Sequence, residues 1–300
     1  MDSRIIATVL ATAVVAVSCH DYRDDYLKKV PERVYLSTES SPVRYMSSFT
    51  ESGWFQVQKS GKGFESAAVE ISVSPTALVK YNEENGTRYV NLPSMMYYFE
   101  KDGEAIVIGK EEFGTELGIS WDADILSLFL LTQKDDYVIP LKITASSMPV
   151  TEGRDLLLLH PVVPTIGLRA RLSREIVYSD TLSGQNVFSE RVMLNHPIPT
   201  RDISVKLAPA STEGYTSSAG SVPEGAFTLL SQSVTIEKGQ TYADFSFRID
   251  YDKFLSGTDV TTTAPCVAAV KLESTSIEYL PISQDIMYFP FRYQKPKSKK

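Results

Sequence analysis

The feature of this 300-residue sequence that most constrains its fold is an internal repeat. The segment VEISVSP at residues 69–75 matches ISVKLAP at 203–209, and Tyr81 and Tyr215 follow these segments at the same offset. Three further pairs keep the same order along the chain: 118–126 with 246–255, 137–147 with 266–276, and 155–163 with 285–293. Because chance similarity between strands would not keep that order, we predict a tandem duplication of one domain-sized unit.

Both copies have the pattern of β-strands. Apolar and polar residues alternate at 69–73 and again at 203–207, a period of two that is typical of strands with one buried face. Turn-forming residues recur at short intervals, and long helical periodicity is hard to find after residue 30. The sequence therefore predicts an all-β chain of two tandem antiparallel β-sandwich domains.

The repeat also predicts the domain limits. The first β-sandwich domain is expected at 28–164, and the second, a degenerate repeat of the first, at 165–294. The flanking segments are a signal peptide at 1–18, an acidic tether at 19–27 and a basic tail at 295–300.

The amino-terminal segment has the features of a lipoprotein signal peptide. Ile5–Val17 is uncharged and mostly apolar, and it is shorter than the roughly 20 residues of a membrane-spanning helix. Ala16 and Ser18 lie just before Cys19, which resembles the bacterial lipobox, although that motif prefers leucine where Ala16 stands. The resemblance implies a lipid anchor on Cys19. The alternatives are a buried helix ending at a core cysteine and an ordinary secretory signal peptide.

The aspartates after Cys19 predict the location of the protein. Asp21, Asp24 and Asp25 resemble the acidic export signal that directs Bacteroidetes lipoproteins to the outer face of the outer membrane. In a solvated tether, the same composition arises without any signal. We expect a lipid-anchored outer-membrane protein that faces the cell exterior.

Charge and motifs exclude several function classes. The net charge of −7 and the pI near 5.2 oppose binding to nucleic acid. The three histidines, His20, His160 and His196, do not form a pair at metal-ligand spacing, and HExxH, CxxC and GxSxG motifs are absent from the sequence. We therefore expect a non-enzymatic protein without a cofactor.

Two Asp-x-Asp pairs are the weak metal candidates. Asp122 with Asp124, and Asp250 with Asp252, could each offer two oxygen ligands on one side of a strand. Calcium takes six to eight oxygens, however, and no EF-hand-like spacing follows either pair. The favoured interpretation is that each pair closes a strand, with the Asp side chains accepting backbone N–H groups in a turn.

The aromatic residues are interpreted mostly as core. Trp121 aligns with Ile249 of the second copy and Trp54 falls near Val187, so both indoles are expected to be buried. The run 95–99, MMYYF, predicts a strand that is buried on both faces. Cys266, which alternates with other apolar residues, is interpreted as a small core side chain.

The segments VYLSTESSP, ISVSPTALVKYNEENGTRYVNLP and YVIPLKI resemble the Bacteroidetes domain of unknown function 1735. The second copy is degenerate, because YN has become YTSS and LP has become VP. The resemblance implies an immunoglobulin-like sandwich in a surface lipoprotein of a glycan-utilisation locus, and it implies no reaction.

These observations favour a binding or spacer module for glycan capture, with polysaccharide, other surface lipoproteins and the membrane as partners. The alternative is an adhesin or fimbria-like assembly subunit, in which the strand at 286–293 would be donated or exchanged. An unrecognised hydrolase is the third hypothesis. The residues that bind a ligand are not identified by the sequence.

Overall fold

The computed structural model describes residues 30–38, 41–61, 65–170, 172, 175–179, 182–215, 220–257 and 266–294. The predicted signal peptide, the tether and the basic tail lie outside the described residues. So do the residues of the proposed anchor and export signal, which are Cys19, Asp21, Asp24 and Asp25. Within the described residues, no helix has the length and apolar character needed to cross a membrane.

The described chain is built mainly of β-strands, which confirms the predicted fold class. The strands of the first half are β1 (Val34–Leu36), β2 (Val43–Ser47), β3 (Ser52–Lys59), β4 (Ala67–Val73), β5 (Val90–Asn91), β6 (Ala105–Ile108), β7 (Gly114–Ser120), β8 (Tyr137–Ser146) and β9 (Leu156–Val162). Those of the second half are β10 (Ile166–Leu168), β11 (Ile176–Tyr178), β12 (Gln185–Leu194), β13 (Ile203–Pro209), β14 (Gly220–Ser221), β15 (Phe227–Leu229), β16 (Ser233–Ile236), β17 (Tyr242–Asp250), β18 (Cys266–Thr275), β19 (Ile282–Gln284) and β20 (Ile286–Tyr293). The helices are α1 (Pro75–Asn85), α2 (Ala123–Thr132) and α3 (Tyr251–Gly257), with a 3-10 turn at Ser94–Met96.

The chain divides into two compact units by its contacts. Among the described residues, the first unit contains those from 30 to 44, Ser52–Ser120 and Asp135–His160, and the second contains Tyr45–Glu51, Trp121–Lys134 and those from 161 to 294. The two units therefore interleave along the sequence, and α2 belongs to the second unit. The linear domain limits at 28–164 and 165–294 stay a prediction.

Two sheets form the first half of the chain. The smaller has the order β1-β3-β7, and the larger has the order β2-β9-β8-β4-β6, with β5 paired to β8. Alternate side chains of β3 are buried, so Phe55 and Val57 lie in the core while Trp54 and Gln56 face outward. Ile71 on the larger sheet is also fully buried. Each large apolar side chain buried in this way stabilises the fold by roughly 1.5–3 kcal/mol.

Helix α1 covers part of the other face of the larger sheet. Pro75 lies in its first turn, the hydroxyl of Ser74 accepts the N–H of Ala77, and Gly86 ends the helix at φ 66°. Leu78 packs against Val138 and Leu158. This helix was not predicted from the sequence, although its local capping signals are present there.

The LVKYN and YVNLP segments of the resemblance are joined by one side chain of α1. Asn82 Oδ1 accepts the hydroxyl of Thr87 at 2.7 Å and the N–H of Tyr89 at 3.1 Å, and its Nδ2 donates to Tyr89 O at 2.8 Å. The ring of Tyr89 stacks on that of Tyr81 at a centroid distance of 6.4 Å. Asn82 thus ties the end of the helix to the strand that follows.

The second unit repeats the strand plan of the first half. Its sheets have the orders β15-β17-β12-β10-β19 and β11-β20-β18-β13-β16, with β14 paired to β18 as β5 is paired to β8. β4 and β13 each contain one register shift, between Glu70 and Ile71 and between Lys206 and Leu207, and the two shifts lie two residues apart in the alignment of 69–75 with 203–209. β20 lies between β11 and β18 in its sheet, as an ordinary closing strand would.

Several side chains test the predictions about the core. Trp121 is 7% exposed, and its Nε1 donates to Ser48 O at 3.1 Å, so its predicted burial is confirmed. Cys266 is buried on β18, as predicted, and burial raises the pKa of its thiol. The buried strand predicted at 95–99 is wrong. Met95 is 85% exposed in the 3-10 turn, and Tyr98 is exposed beside Ser120, because the chain here wraps the edge of β7 instead of entering a sheet.

Candidate functional site

The outer face of the β1-β3-β7 sheet is the candidate site. Cross-strand pairing places Trp54 opposite Gly118, Gln56 opposite Glu116, and Gln58 between Gly114 on one side and Tyr35 on the other. Since paired residues project to the same side of a sheet, these side chains share one face. We call this surface the outer face of the small sheet.

Trp54 lies on this face with its indole over Gly118. The side chain is 53% exposed, which shows that its predicted burial is wrong. A Cβ at Gly118 would come within 2.8 Å of Trp54 Cζ3 and 3.1 Å of Cη2. The absence of a side chain at Gly118 therefore lets the six-membered ring rest on the backbone of β7. The result is an exposed aromatic surface that is held in place from below.

Polar side chains continue the surface along β3. Gln58 Nε2 donates to Gln56 Oε1 at 3.0 Å, which holds the two amides side by side. Glu116 is exposed opposite Gln56 on β7, and no ion pair involves its carboxylate within the described part of the chain. The face therefore offers amide donors, amide acceptors and one carboxylate to a ligand.

A groove of about 510 Å³ adjoins Gln56, Gln58 and Glu116 of the outer face of the small sheet, next along the strands from Trp54. Residues of all three strands and the residue before β7 line the groove: Tyr35, Gln56, Gln58, Lys59, Phe113, Gly114, Thr115 and Glu116. The guanidinium of Arg154 lies 4.2 Å from the centre of the Tyr35 ring, and its Nη2 donates to Thr38 O at 3.0 Å. Tyr35 is thereby fixed at one side of the groove.

The loop before β7 ends at Phe113, which is one of the residues that line the groove. Glu111 adopts φ 66°, a conformation that costs a non-glycine residue energy, and Glu112 Oε2 accepts the N–H of Gly109 at 2.7 Å. The buried ammonium of Lys59 donates to Gly109 O at 2.6 Å and to Glu65 O at 2.7 Å. The loop is therefore tightly constrained, and Phe113 is held there with its side chain 54% exposed.

The first predicted aspartate pair has capping and pairing roles. Asp122 Oδ1 accepts the N–H of Ile125 at 2.8 Å and so begins α2. Asp124 Oδ1 accepts the hydroxyl of Tyr279 at 2.5 Å and Nη2 of Arg201 at 2.9 Å. The hydrogen bond from Tyr279 is the largest cause that lowers the pKa of Asp124, with a further contribution from Arg201. Burial and the same bond raise the pKa of Tyr279 to about 12.

The second pair has the turn-closing role that the sequence favours. Asp250 Oδ1 accepts the N–H of Lys253 at 3.2 Å, and its Oδ2 accepts Gln185 Nε2 at 3.0 Å. The Gln185 bond is the largest cause of the lowered pKa of Asp250. Asp252 Oδ2 accepts the N–H of Gly184 at 3.2 Å. Within the residues that the structure describes, no three His, Cys, Asp or Glu side chains are grouped so that they could hold a metal ion.

His160 lies away from the outer face of the small sheet, on β9. Its ring contacts Tyr89 edge-on at a centroid distance of 5.4 Å, and burial lowers its pKa despite the opposing effect of Asp136. A buried, mainly neutral imidazole beside an aromatic ring indicates a structural role for this histidine.

The sequence contains a signal for this site in the alternation of one strand. In SGWFQVQK, residues 52–59, Trp54, Gln56 and Gln58 occupy alternate positions, whereas Phe55 and Val57 occupy the others. A strand with this alternation places its single tryptophan on the same face as the two glutamines. The predicted burial of Trp54 came instead from its alignment near Val187, which is itself 61% exposed.

Comparison with known proteins relates the first half of the chain to a domain family. A family model described as a "-like, N-terminal domain" matches residues 27–150. No curated protein matches the sequence.

Solved structures with similar folds have low sequence identity to the chain. The CBD12 domains of CALX1.2 match with a TM-score of 0.39 and 10% identity, over 87% of this chain and 100% of that one. A multidomain protein from Bacteroides ovatus that includes the domain of unknown function 1735 matches with a TM-score of 0.33 and 15% identity, over 57% and 59% of the two chains. A proposed carbohydrate-binding protein from Bacteroides ovatus ATCC 8483 matches with a TM-score of 0.33 and 14% identity, over 79% and 66%.

Proposed function

We propose that the protein is a non-enzymatic glycan-binding module and that the outer face of the small sheet is its binding site. The observation that carries the proposal is Trp54, an exposed indole that rests on Gly118 beside a groove lined by amides and a carboxylate. An exposed aromatic ring in contact with a bare backbone has no evident role in packing the core. Its apolar face is suited to the C–H groups of a sugar ring.

The polar groups beside Trp54 suit the same ligand. Sugars present hydroxyl groups that both donate and accept hydrogen bonds, and an amide side chain does the same. Gln56 and Gln58 are already held together by their mutual hydrogen bond, so less side-chain freedom is lost when a ligand binds. The site is therefore organised before the ligand arrives.

The membrane anchor is a further part of the proposal. The lipobox-like residues before Cys19 and the aspartates after it support a lipid-anchored protein at the outer face of the outer membrane. The match of residues 27–150 to a domain-family model supports a modular protein, and two copies of the domain of unknown function 1735 are proposed on the segments that resemble it. Cys19→Ala is expected to release the protein from membranes and to prevent labelling by fatty acid. Retention of both properties in the variant would contradict the anchor.

Binding is tested by affinity electrophoresis of the soluble chain, from residue 20 onward, in gels that contain single plant, fungal or host polysaccharides. We expect retardation in at least one gel, and Trp54→Ala should abolish it. Tyr242→Ala is the matched control, since Tyr242 is an exposed aromatic residue on the outward face of the second unit's corresponding sheet. Absence of retardation in all gels, or equal retardation of the Trp54→Ala variant, would overturn the proposed function.

A further inference from the structure

We infer that Tyr98 is a second aromatic residue of the glycan site and that one sugar ring of the ligand is held between Tyr98 and Trp54. The inference rests on the proposed function and names a further residue of the same site. Three observations carry it: the register of the residues around β7, the burial of their neighbours, and the small side chains between the two rings.

Tyr98 adds one residue pair to the edge of the small sheet. Its N–H donates to Ser120 O at 2.7 Å, and its O accepts the N–H of Ser120 at 2.9 Å. β7, which carries Ser120, is the edge strand of that sheet and has β3 on its other side. The two hydrogen bonds therefore hold the backbone of Tyr98 at a fixed place beside β7.

The side chain of Tyr98 projects from the outer face of the small sheet. Tyr98 is 65% exposed, whereas the next residue, Phe99, is buried and contacts the ring of Phe55 at a centroid distance of 5.9 Å. Because consecutive side chains of an extended segment point to opposite sides, Tyr98 faces away from the core, as Trp54 does. Its partner Ser120 is exposed on the same face.

The indole of Trp54 occupies a position next to Tyr98. It rests on Gly118, which lies two residues before Ser120, the partner of Tyr98. Such diagonal neighbours on adjacent strands are about 7–8 Å apart, which is within reach of aromatic side chains. Since Gly118 has no side chain, the indole takes the space that a diagonal neighbour of Tyr98 would fill. The two rings therefore border a common stretch of surface.

Two serines form the surface between the rings. Ser52 pairs with Ser120, and this pair is the next outward-facing one along the strands from Trp54 and Gly118. The serine side chains are small, and each hydroxyl can both donate and accept a hydrogen bond. We call this surface the serine recess. It suits a sugar ring, whose C–H groups can contact Trp54 and Tyr98 while its hydroxyl groups reach the serines.

Charged groups of both signs lie near the serine recess. The Nη1 of Arg44 donates to Trp54 O at 2.8 Å, and this exposed guanidinium has further N–H groups that can donate to glycan oxygens. Glu116, two residues before Gly118 on β7, contributes an exposed carboxylate. The recess is therefore proposed for neutral and acidic glycans alike.

Affinity electrophoresis measures the contribution of Tyr98. The chain from residue 20 onward is run in gels with rising concentrations of xylan, mannan, pectin or chondroitin sulfate, and retardation gives the dissociation constant. Tyr98→Ala should weaken binding by about three- to tenfold, the order expected for one aromatic contact. Tyr98→Phe should bind as the wild type does, because it keeps the ring. Met95→Ala, an exposed change in the same segment, is the matched control and should also leave binding unchanged.

Ser120→Leu tests the serine recess itself. The larger side chain would occupy the space between the two rings, while the backbone can still pair with Tyr98. Binding should weaken more than in Tyr98→Ala, because the sugar ring is excluded from the recess.

The outcomes separate this inference from the proposed function. If Trp54→Ala abolishes retardation while Tyr98→Ala and Ser120→Leu bind as the wild type does, the glycan site stands and the serine recess is wrong. If Tyr98→Phe binds as weakly as Tyr98→Ala, contact with the ring is also refuted. If no gel retards the wild-type protein, both proposals fail together. Urea unfolding curves that overlay for wild type and Tyr98→Ala would establish that weaker binding reflects the lost ring and not a loss of folding.

Discussion

The two units place different side chains on equivalent sheet positions. Both helices that follow these sheets begin at an aspartate whose side chain accepts the N–H three residues on, Asp122 in one copy and Asp250 in the other. Gly118 lies four residues before Asp122, and Ser246 lies four residues before Asp250, so these two positions correspond. Their cross-strand partners, Trp54 and Ser189, therefore correspond as well.

The correspondence extends along the whole face. Where the first unit has Gln56 opposite Glu116, the second has Arg191 opposite Asp244 in an ion pair of 3.0 Å. Arg191 also lies over the ring of Tyr242, at 4.1 Å from its centre. On the corresponding sheet of the second unit, Arg191 and Asp244 therefore neutralise each other's charge. The outer face of the small sheet instead exposes an indole, two amides and a carboxylate. The two units share a strand plan, and the exposed indole of the proposed site lies on the first of them.

The largest predicted effect comes from a substitution in the core of the second unit, and it tests whether glycan binding depends on the first unit alone. Phe247 is buried against Phe188, Phe227 and Phe289, so Phe247→Ala leaves a large cavity. We expect a loss of about 3–5 kcal/mol in unfolding free energy. Urea unfolding followed by the fluorescence of Trp121, in a Trp54→Phe background, measures it.

Two comparisons interpret the result for Phe247→Ala. Val187→Ala, an exposed change on the same sheet, should stay within about 0.5 kcal/mol of the wild type. With Trp54 retained, and where the variant remains folded, glycan binding should persist at wild-type affinity, because the proposed site uses only first-unit residues. If the Phe247→Ala variant loses glycan binding at a temperature at which it is still folded, the site is not confined to the first unit.

Gly118→Ala tests the support beneath the indole. The new Cβ would lie 2.8 Å from Trp54 Cζ3, so the ring must lift away from β7. We expect glycan affinity to fall about tenfold, or about 1.4 kcal/mol, while stability is unchanged or slightly higher because alanine suits a strand better than glycine. Ser246→Ala makes the same kind of change at the corresponding position of the second unit and should leave titration curves unaltered. Equal affinities for Gly118→Ala and wild type would show that the position of the ring is unimportant.

Tyr279→Phe tests how the second unit satisfies its polar groups. The hydroxyl donates to Asp124, and its removal should cost about 1 kcal/mol at neutral pH. The pKa of Tyr279 is raised from 10.0 to about 12, so the folded state keeps a proton that the unfolded state loses. Stability of the wild type should therefore fall as pH rises from about 10 to 12, and this fall should be smaller in the variant.

At acid pH the same experiment tests Asp124, and there stability is lost as the pH falls. The pKa of Asp124 is lowered in the folded state, chiefly by Tyr279, so its contribution is present at neutral pH and is lost as the carboxylate becomes protonated. The variant should show a shallower loss there as well. Urea midpoints measured across the pH range check both limbs, and parallel profiles for the two proteins would refute the role of this hydrogen bond.

The smallest effect is expected at the exposed ion pair between Arg191 and Asp244 in the second unit. Arg191→Gln should cost about 0.2–1 kcal/mol at low salt and almost nothing at high salt, because both side chains are more than half exposed. Glycan binding should not change. An increase in binding to the second unit, detected in a Trp54→Ala background, would show that the ion pair alone keeps that face from acting as a second site.

Local sequence patterns determined the strand content of the chain. Alternation at 69–73 and 203–207 specifies strands with one buried face, because side chains on a strand point to opposite sides in turn. The turn-closing roles of Asp122 and Asp250 were also predictable, since a capping bond joins residues only three apart. Helix α1 has equally local signals at 74–75 and at Gly86, which were missed because its apolar periodicity is weak.

Only the tertiary structure decided which side of each strand is covered. Alternation groups Trp54 with Gln56 and Gln58, but the choice between core and solvent depends on what packs against each face of the sheet. The partner of Trp54 was equally hidden, because Gly118 is distant in the sequence and meets it through the register of two strands. The sequence by itself therefore determined which residues share a face. The register and packing of distant strands decided that one of those faces, with its indole resting on a glycine, is open to a ligand.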